Sequence, residues 1–83
     1  MKNKQKQYNI RIFSTPGCPQ CETLKSYLDT QDIKYSDINV AEDIKAQEEI
    51  IDKSGQMSVP VIEINNQIIV GFDLQKINQI LGI

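Results

Sequence analysis

Residues 14–21 read STPGCPQC, and this stretch decides how the chain is expected to fold. The residues before it, Tyr8 to Ser14, alternate apolar and polar side chains in the manner of a β-strand. Thr15-Pro16-Gly17 breaks that pattern, and Pro19 then occupies a position that proline favours in the first turn of a helix. The sequence therefore predicts a strand, a tight turn and a helix start that carries both cysteines of the chain.

The pattern after this junction predicts the remaining helices and strands. The first helix is expected from Pro19 to about Thr30 or Gln31, with an apolar stripe formed by Cys21, Leu24, Tyr27 and Leu28. A strand is predicted over 34–40, and a helix over about 42–53 that ends at Gly55. Strands 60–64 and 68–70 are predicted to form a hairpin around Asn65-Asn66-Gln67. A last helix is predicted after its cap Asp73, and its apolar face consists of Leu74, Ile77, Ile80 and Leu81. The order βαβαββα predicts an α/β fold with a four-stranded mixed sheet flanked by three helices.

Composition and charge exclude several classes of protein. The chain has 83 residues, a net charge of -2 and no histidine. This length predicts one domain, residues 8–83, after a flexible tail of residues 1–7. A slightly acidic chain has no general affinity for nucleic acid, and the lack of histidine excludes imidazole-based catalysis and imidazole metal sites. Because no apolar run resembles a signal peptide or a membrane span, we expect a cytoplasmic protein that contacts no membrane.

The pair Cys18 and Cys21 admits four interpretations. A structural zinc site would need ligands from two chains, because this chain has no further cysteine and no histidine. A static disulfide closing so short a loop would constrain the unfolded chain little. A chance pair of buried cysteines would not explain the flanking prolines and glycine. The fourth interpretation, a redox-active dithiol, is favoured because the helix start can stabilise a thiolate.

The dithiol interpretation assigns different roles to the two cysteines. Cys18 is expected at the N-cap of the helix, where it attacks a substrate disulfide. Cys21 is expected nearly one turn later and deeper against the sheet, where it resolves the mixed disulfide. Lys25, on the next turn, could stabilise the thiolate or could be an ordinary solvated lysine.

The chain resembles the glutaredoxin branch of the thioredoxin superfamily from about Asn9 to Ile80. The resemblance rests on three motifs in order: Cys-Pro-x-Cys at 18–21, Ser-Val-Pro at 58–60 and Gly-Phe-Asp at 71–73. It implies a thioredoxin fold, dithiol-disulfide oxidoreductase activity and a cis peptide bond before Pro60. It also implies that substrate or glutathione is bound by Thr15, Pro19, Gln20, Ser58, Val59, Pro60, Gly71, Phe72 and Asp73. No tightly bound cofactor and no metal are expected, while glutathione is expected as a possible co-substrate.

Departures from the family pattern bear on the reductant. Many glutathione-using members have lysine where this chain has Thr15 and tyrosine where it has Gln20, so weaker capture of glutathione is expected. Ser54-Gly55-Gln56 is similar to small redoxins that take electrons from thioredoxin reductase and serve ribonucleotide reductase. The expected partners are therefore proteins with disulfides, together with glutathione or thioredoxin reductase as reductant, and the protein is expected to act as a monomer.

Two other functions stay open at this point. An iron-sulfur or metal carrier would use Cys18 from two chains together with two glutathione thiolates. Family members of that kind usually have a single cysteine followed by Gly-Phe-Ser, so Pro19 and Cys21 favour dithiol exchange instead. A binding module that uses the groove at Pro60 would not require Cys18 at all.

Overall fold

The computed structural model describes residues 8–83 and contains the predicted elements in the predicted order. They are β1 (Ile10–Ser14), α1 (Pro19–Thr30), β2 (Ser36–Asn39), α2 (Ile44–Ser54), β3 (Val61–Ile64), β4 (Gln67–Val70) and α3 (Leu74–Leu81). The ends differ from the predicted ones by at most two residues. The predicted tail, residues 1–7, lies outside the described residues. In the described part of the chain, no helix is long and apolar enough to cross a membrane.

The four strands form one mixed sheet in the order β2-β1-β3-β4. β1 and β2 are parallel, whereas β3 is antiparallel to both β1 and β4. The hairpin between β3 and β4 turns at Asn65 and Asn66, whose φ values are 48° and 74°. Asparagine tolerates this left-handed conformation, which tight hairpin turns require. The predicted α/β architecture is confirmed.

The helices cover both faces of the sheet, and each face has its own apolar core. Successive residues of β1 point to opposite faces, so Ile12 faces α1 and α3 while Phe13 faces α2. The larger core consists of Ile10, Ile12, Leu24, Leu28, Ile62, Ile64, Ile69, Ile77 and Leu81. The smaller core consists of Phe13, Val40, Ala46, Ile50 and Val61. Each large side chain contributes about 1.5–3 kcal/mol by leaving water, so the sheet is a stable platform for the loops at its ends.

The apolar residues of α2 and α3 are less buried than their number suggests. Ile44 and Ile51 are 68% and 48% exposed, because α2 turns Ala46 and Ile50, spaced four residues apart, toward the sheet. Leu74, predicted on the apolar face of α3, is 38% exposed at the first position of that helix. The sequence pattern therefore located both helices, and the apolar face predicted for α3 is wider than the face that α3 buries.

Strand register brings the three sequence motifs to one end of the sheet, which we call the cysteine end. Phe13 lies opposite Val61, and Val61 lies opposite Val70. Neighbouring strand ends therefore carry the loop after β1, the segment that leads into β3 and the turn after β4. Parallel pairing of Ser14 with Asn39 brings the loop between β2 and α2 to the same end.

Candidate active site

The two cysteines form a disulfide at the start of α1, with their Cα atoms 5.2 Å apart. That separation is ordinary for a disulfide. The chain turns into the helix at Gly17, whose φ of +77° is a left-handed value that favours glycine. Cys18 is the N-cap residue, with extended backbone, and Pro19 opens the first turn. The predicted strand, turn and helix start around the two cysteines are confirmed.

The two sulfur atoms lie in different environments. Cys21 is completely buried, whereas Cys18 is half-buried. The Cys18 Sγ accepts a hydrogen bond from the backbone N–H of Cys21 at 3.1 Å. After reduction of the disulfide, this N–H and the positive end of the helix dipole would favour a thiolate on Cys18. The geometry therefore distinguishes a partly exposed cysteine from a completely buried one.

The segment before β3 lies beside this loop. The Val59-Pro60 peptide bond is cis, as the family resemblance implied, and Pro60 is buried. The Pro60 carbonyl accepts a hydrogen bond from the N–H of Gly71 at 2.8 Å. Val59 is half-buried and packs against the core beneath α2. This bond joins the Ser-Val-Pro segment to the Gly-Phe-Asp turn.

Three other predicted site residues have distinct roles in the fold. Phe72 is half-buried and packs against the core beneath α1 and α3. Asp73 caps α3, as predicted, by accepting a hydrogen bond from the N–H of Lys76 at 3.2 Å. Ser58 differs, because among the described residues its Oγ is the buried side-chain polar atom that has no hydrogen-bond partner. Buried hydroxyls usually have partners, so Ser58 retains hydrogen-bonding capacity next to the site.

The remaining predicted residues lie in the loop and the first helical turn that contain the two cysteines. Pro19 and Gln20 are exposed in the first turn of α1, and Thr15 is half-buried in the loop before it. Met57, which precedes Ser58, is 49% exposed. All the predicted site residues thus belong to segments at the cysteine end, while their contacts with a substrate stay predictions.

A hydrogen-bonded network connects α1 to β1 and β2 next to the cysteines, and we call it the proximal network. The Ser14 hydroxyl donates to Asp37 Oδ1 at 2.9 Å, and Lys25 Nζ donates to Asp37 Oδ2 at 2.9 Å. Lys25 Nζ also lies 3.3 Å from Glu22 Oε2. The hydrogen bond to Asp37 raises the pKa of Lys25 above its ordinary value. Lys25 is therefore a charged group already paired with two carboxylates.

Sequence reasoning indicated Lys25 but missed its partners. Ser14 and Asp37 are distant in the chain, and they meet because β1 and β2 are parallel neighbours. The available signal was strand alternation, which turns Ser14 to the same face as Ile12. That signal alone does not identify the carboxylate that Ser14 contacts.

A second charged network lies beneath α2, toward the other end of the sheet, and we call it the distal network. Arg11 Nε donates to Glu63 Oε1 at 2.6 Å, and the same guanidinium bonds both carboxylate oxygens of Glu49. Lys53 Nζ donates to Glu49 and Glu63 at 2.9 and 2.7 Å. Hydrogen bonds from Arg11 and Lys53 lower the pKa of Glu49 to about 2. Burial acts to raise the pKa of Glu63, but its bonds to Lys53 and Arg11 outweigh burial and lower it.

A disulfide between a partly exposed cysteine and a buried one, at a helix start, can exchange with thiols and disulfides of other molecules. Within residues 8–83, no group of three or more histidine, cysteine, aspartate or glutamate side chains is arranged to hold a metal ion. Fold and site together define a thiol-disulfide oxidoreductase. The sequence model of the glutaredoxin family matches residues 10–69. The chain belongs to the glutaredoxin family.

Individual proteins show the same relationship. A glutaredoxin-like 8.6 kDa protein in the rubredoxin operon of Clostridium pasteurianum, itself uncharacterized, is 46% identical over 72 residues, which cover 87% of this chain and 96% of that protein. The crystal structure of a thioredoxin-like protein superimposes with a TM-score of 0.82 at 26% identity, covering 88% of this chain and 100% of that chain. The glutaredoxin-like NrdH-redoxin from Escherichia coli superimposes with a TM-score of 0.75 at 25% identity, covering 86% and 92%. These similarities confirm the predicted thioredoxin fold.

Proposed function

We propose that the protein reduces protein disulfides or glutathione mixed disulfides through the Cys18–Cys21 couple and so donates electrons to reductive enzymes. The difference between the two sulfurs carries this proposal. Cys18 is half-buried at the N-cap and Cys21 is completely buried. An attacking sulfur must reach a partner molecule, whereas a resolving sulfur needs to reach only Cys18.

The first step forms a mixed disulfide. The Cys18 thiolate attacks one sulfur of the substrate disulfide, and a new S–S bond joins Cys18 to that sulfur. The other substrate sulfur leaves with the electron pair of the broken bond and takes a proton from water. The N–H of Cys21, which contacts the Cys18 Sγ at 3.1 Å in the disulfide form, would stabilise the thiolate that starts this step.

The second step releases the reduced substrate. Cys21 gives its proton to water, and its thiolate attacks the Cys18 sulfur. The mixed disulfide breaks, the second substrate sulfur leaves as a thiol after protonation, and the Cys18–Cys21 disulfide forms. Two electrons have then passed from the dithiol to the substrate, and an external thiol reductant returns the pair to the dithiol form.

Charges at the cysteine end favour protein disulfides over glutathione as substrate. The carboxylates of the segments at this end are Glu22, Asp37, Glu42, Asp43 and Asp73, and the lysines of the same segments are Lys25, Lys45 and Lys76. Lys25 is already paired with two of the carboxylates. Glutathione carries two carboxylates of its own, so an acidic surface with a paired lysine would attract it weakly.

The same charges favour thioredoxin reductase over glutathione as the reductant. Thr15 adds no positive charge to the loop before the cysteines. The Escherichia coli NrdH-redoxin is described as glutaredoxin-like with a thioredoxin-like activity profile, and it is 25% identical to this chain. A redoxin that is reduced by thioredoxin reductase and specifically serves ribonucleotide reductase is the narrower second candidate, and it uses the same cysteine chemistry.

The cycle requires no second subunit, because both cysteines belong to one chain. We accordingly propose that residues 8–83 act as one domain and as a monomer. The compartment proposed for this cycle is the cytoplasm, where thiol reductants keep exposed disulfides reduced.

Oxidation of NADPH in the presence of a disulfide-containing protein tests the proposal. One arm supplies thioredoxin reductase, and the other supplies glutathione with glutathione reductase. We expect turnover with thioredoxin reductase to be at least about tenfold faster than turnover with glutathione. We also expect turnover to be lost in both the Cys18→Ser and the Cys21→Ser protein. Ser26→Ala, at an exposed position of the same helix, is the matched control. The absence of turnover in both arms would contradict the proposal, and faster turnover through glutathione would overturn the preference for thioredoxin reductase.

A further inference from the structure

Lys25 lies on the side of α1 that carries the cysteines. Cys18, Cys21 and Lys25 are spaced by three and four residues, so the three residues follow one another along one side of the helix. Helical side chains tilt toward the N-terminus, so the Lys25 stem runs back toward Cys21. Its side chain is only 16% exposed, although its partners Asp37 and Glu22 are 47% and 69% exposed. Most of the Lys25 side chain is therefore covered by the protein, while its ammonium bonds Asp37 at the surface.

The contacts of Lys25 connect the two chain segments that flank the cysteines. Ser14 is the last residue of β1, from which the loop to Cys18 departs, and it is only 3% exposed. Its hydroxyl bonds one oxygen of Asp37, and Lys25 bonds the other oxygen. The proximal network thus joins the strand end before the disulfide to the helix turn after it.

The charges of this network do not cancel. Glu22 and Asp37 carry two negative charges, and Lys25 opposes them with one positive charge. Further carboxylates belong to the other segments at the cysteine end: Glu42 and Asp43 before α2, and Asp73 at the start of α3. Without Lys25, Glu22 and Asp37 would act unopposed on a thiolate at Cys18. Their effect would be to disfavour that thiolate.

We propose that Lys25 is a positioning residue that sets the thiolate population of Cys18 by neutralising Asp37 and Glu22. It acts through these two carboxylates and through the anchored end of β1. The inference rests on the proposed dithiol cycle, because it names a residue that tunes the attacking sulfur of that cycle.

The proposal predicts opposite effects for the two partners of one ion pair. Lys25→Met leaves the two carboxylates unopposed, so it lowers the thiolate fraction of Cys18 and moves the midpoint of its alkylation to higher pH. Asp37→Asn removes one of those negative charges, so it moves the midpoint to lower pH. One unit charge acting over one or two helical turns near a protein surface changes such an equilibrium by about three- to tenfold. Lys25→Arg keeps the charge and is expected to retain the midpoint of the unmodified protein.

Alkylation of the reduced protein by iodoacetamide between pH 4 and 9 tests the proposal, with mass spectrometry assigning the adduct to Cys18. The variants are Lys25→Met, Lys25→Arg, Asp37→Asn and the double variant Lys25→Met/Asp37→Asn. We expect a higher midpoint for Lys25→Met, a lower one for Asp37→Asn, and a double-variant midpoint below that of Lys25→Met alone. Urea unfolding of each variant confirms that the folded protein is being compared. A purely structural role would lower stability and leave the midpoints unchanged.

Shifts of both single variants in the same direction, or midpoints equal to that of the unmodified protein, would overturn the proposal. These midpoints need no partner protein, so they decide the role of Lys25 whatever the turnover assay returns. Turnover of the unmodified protein with unchanged midpoints would reject the role of Lys25 and keep the dithiol cycle. Shifted midpoints without turnover would support the role of Lys25 and reject the cycle.

Discussion

The distal and proximal networks use the same kinds of side chains in different settings. Beneath α2, the Glu63 side chain is only 6% exposed, and Arg11, Lys53 and Glu49 complete a group in which two positive charges meet two negative ones. Beside the cysteines, one lysine serves two carboxylates, and Asp37 is 47% exposed. The distal network is balanced and is centred on the buried Glu63, while its other members are 30–36% exposed. The proximal network is unbalanced, and its two carboxylates are 47% and 69% exposed.

This difference separates stability from reactivity. Removing one partner of a buried ion pair leaves an uncompensated charge and strongly destabilises a protein. An exposed pair contributes only about 0–1 kcal/mol, yet its net charge still acts on a titrating group close by. The distal network should therefore affect folding without affecting the thiols, and the proximal network should do the reverse.

The largest effect is expected for Glu63→Gln. This change leaves Arg11 and Lys53 with Glu49 as their one carboxylate partner in the network, so we expect a loss of about 2 kcal/mol in the free energy of unfolding, measured with urea. Turnover in the NADPH assay at 25 °C should stay within about twofold of the unmodified protein. A folded Glu63→Gln protein with a strongly reduced turnover would show that the two networks are not independent.

Acid should weaken the distal network, because protonation removes the charges of its two carboxylates. The pKa of Glu49 is lowered from 4.5 to about 2 in the folded protein. The ion pairs of Glu49 therefore stabilise the protein fully above the pKa of the unfolded chain, and this stabilisation is lost as the pH falls through the pKa of the folded protein. Glu63 follows the same sign, because its pKa is also lowered. We expect the free energy of unfolding to decline between pH 5 and 2.

Glu49→Gln should reduce the decline in the free energy of unfolding between pH 5 and 2 by about 1 kcal/mol, a value that is lowered because the carboxylate is partly exposed. Urea unfolding at several pH values measures it for both proteins. Parallel curves for Glu49→Gln and the unmodified protein would exclude Glu49 as a source of the acid sensitivity.

Asp37→Asn provides the corresponding change in the proximal network. Because Asp37 is nearly half exposed, we expect its loss to cost less than about 1 kcal/mol in urea unfolding, even while it changes the alkylation of Cys18. Ser26→Ala, at an exposed position of α1, serves as the control for the helix. A loss of stability as large as that of Glu63→Gln would remove the distinction between the two networks.

The smallest effect on stability is expected for Ser58→Ala, an uncharged change at the cysteine end. Its buried Oγ has no partner among the described residues, so removing it costs no hydrogen bond within residues 8–83. We expect urea unfolding to change by less than about 0.5 kcal/mol. If Ser58 binds substrate, KM for a protein disulfide should rise about threefold with kcat unchanged. An unchanged KM would exclude that contact.

Local signals were sufficient to predict the architecture and the cysteine pair. Breakers and capping residues act within a few positions of one another, which is why the turn before Cys18, the stop at Gly55 and the cap at Asp73 could be predicted. The cis bond at Pro60 came from the family resemblance, since the chemistry of the residue pair permits either isomer.

Contacts between distant segments could not be predicted from sequence. Arg11 meets Glu63 because of the register between β1 and β3, and Ser14 meets Asp37 because β1 lies parallel to β2. Periodicity restricts such partners to a face of the sheet but does not select among the charged residues on it. The exposed Ile44 has a similar origin, because the orientation of α2 depends on packing against the whole sheet.

Trapping of the mixed disulfide tests whether Cys18 attacks the substrate and Cys21 resolves the product. Cys21→Ser and Cys18→Ser proteins are each reduced, mixed with a disulfide-containing protein and analysed by mass spectrometry under non-reducing conditions. We expect a stable covalent complex through Cys18 in the Cys21→Ser protein and little complex in the Cys18→Ser protein. A complex that forms equally fast through Cys21, or no complex with either variant, would contradict it.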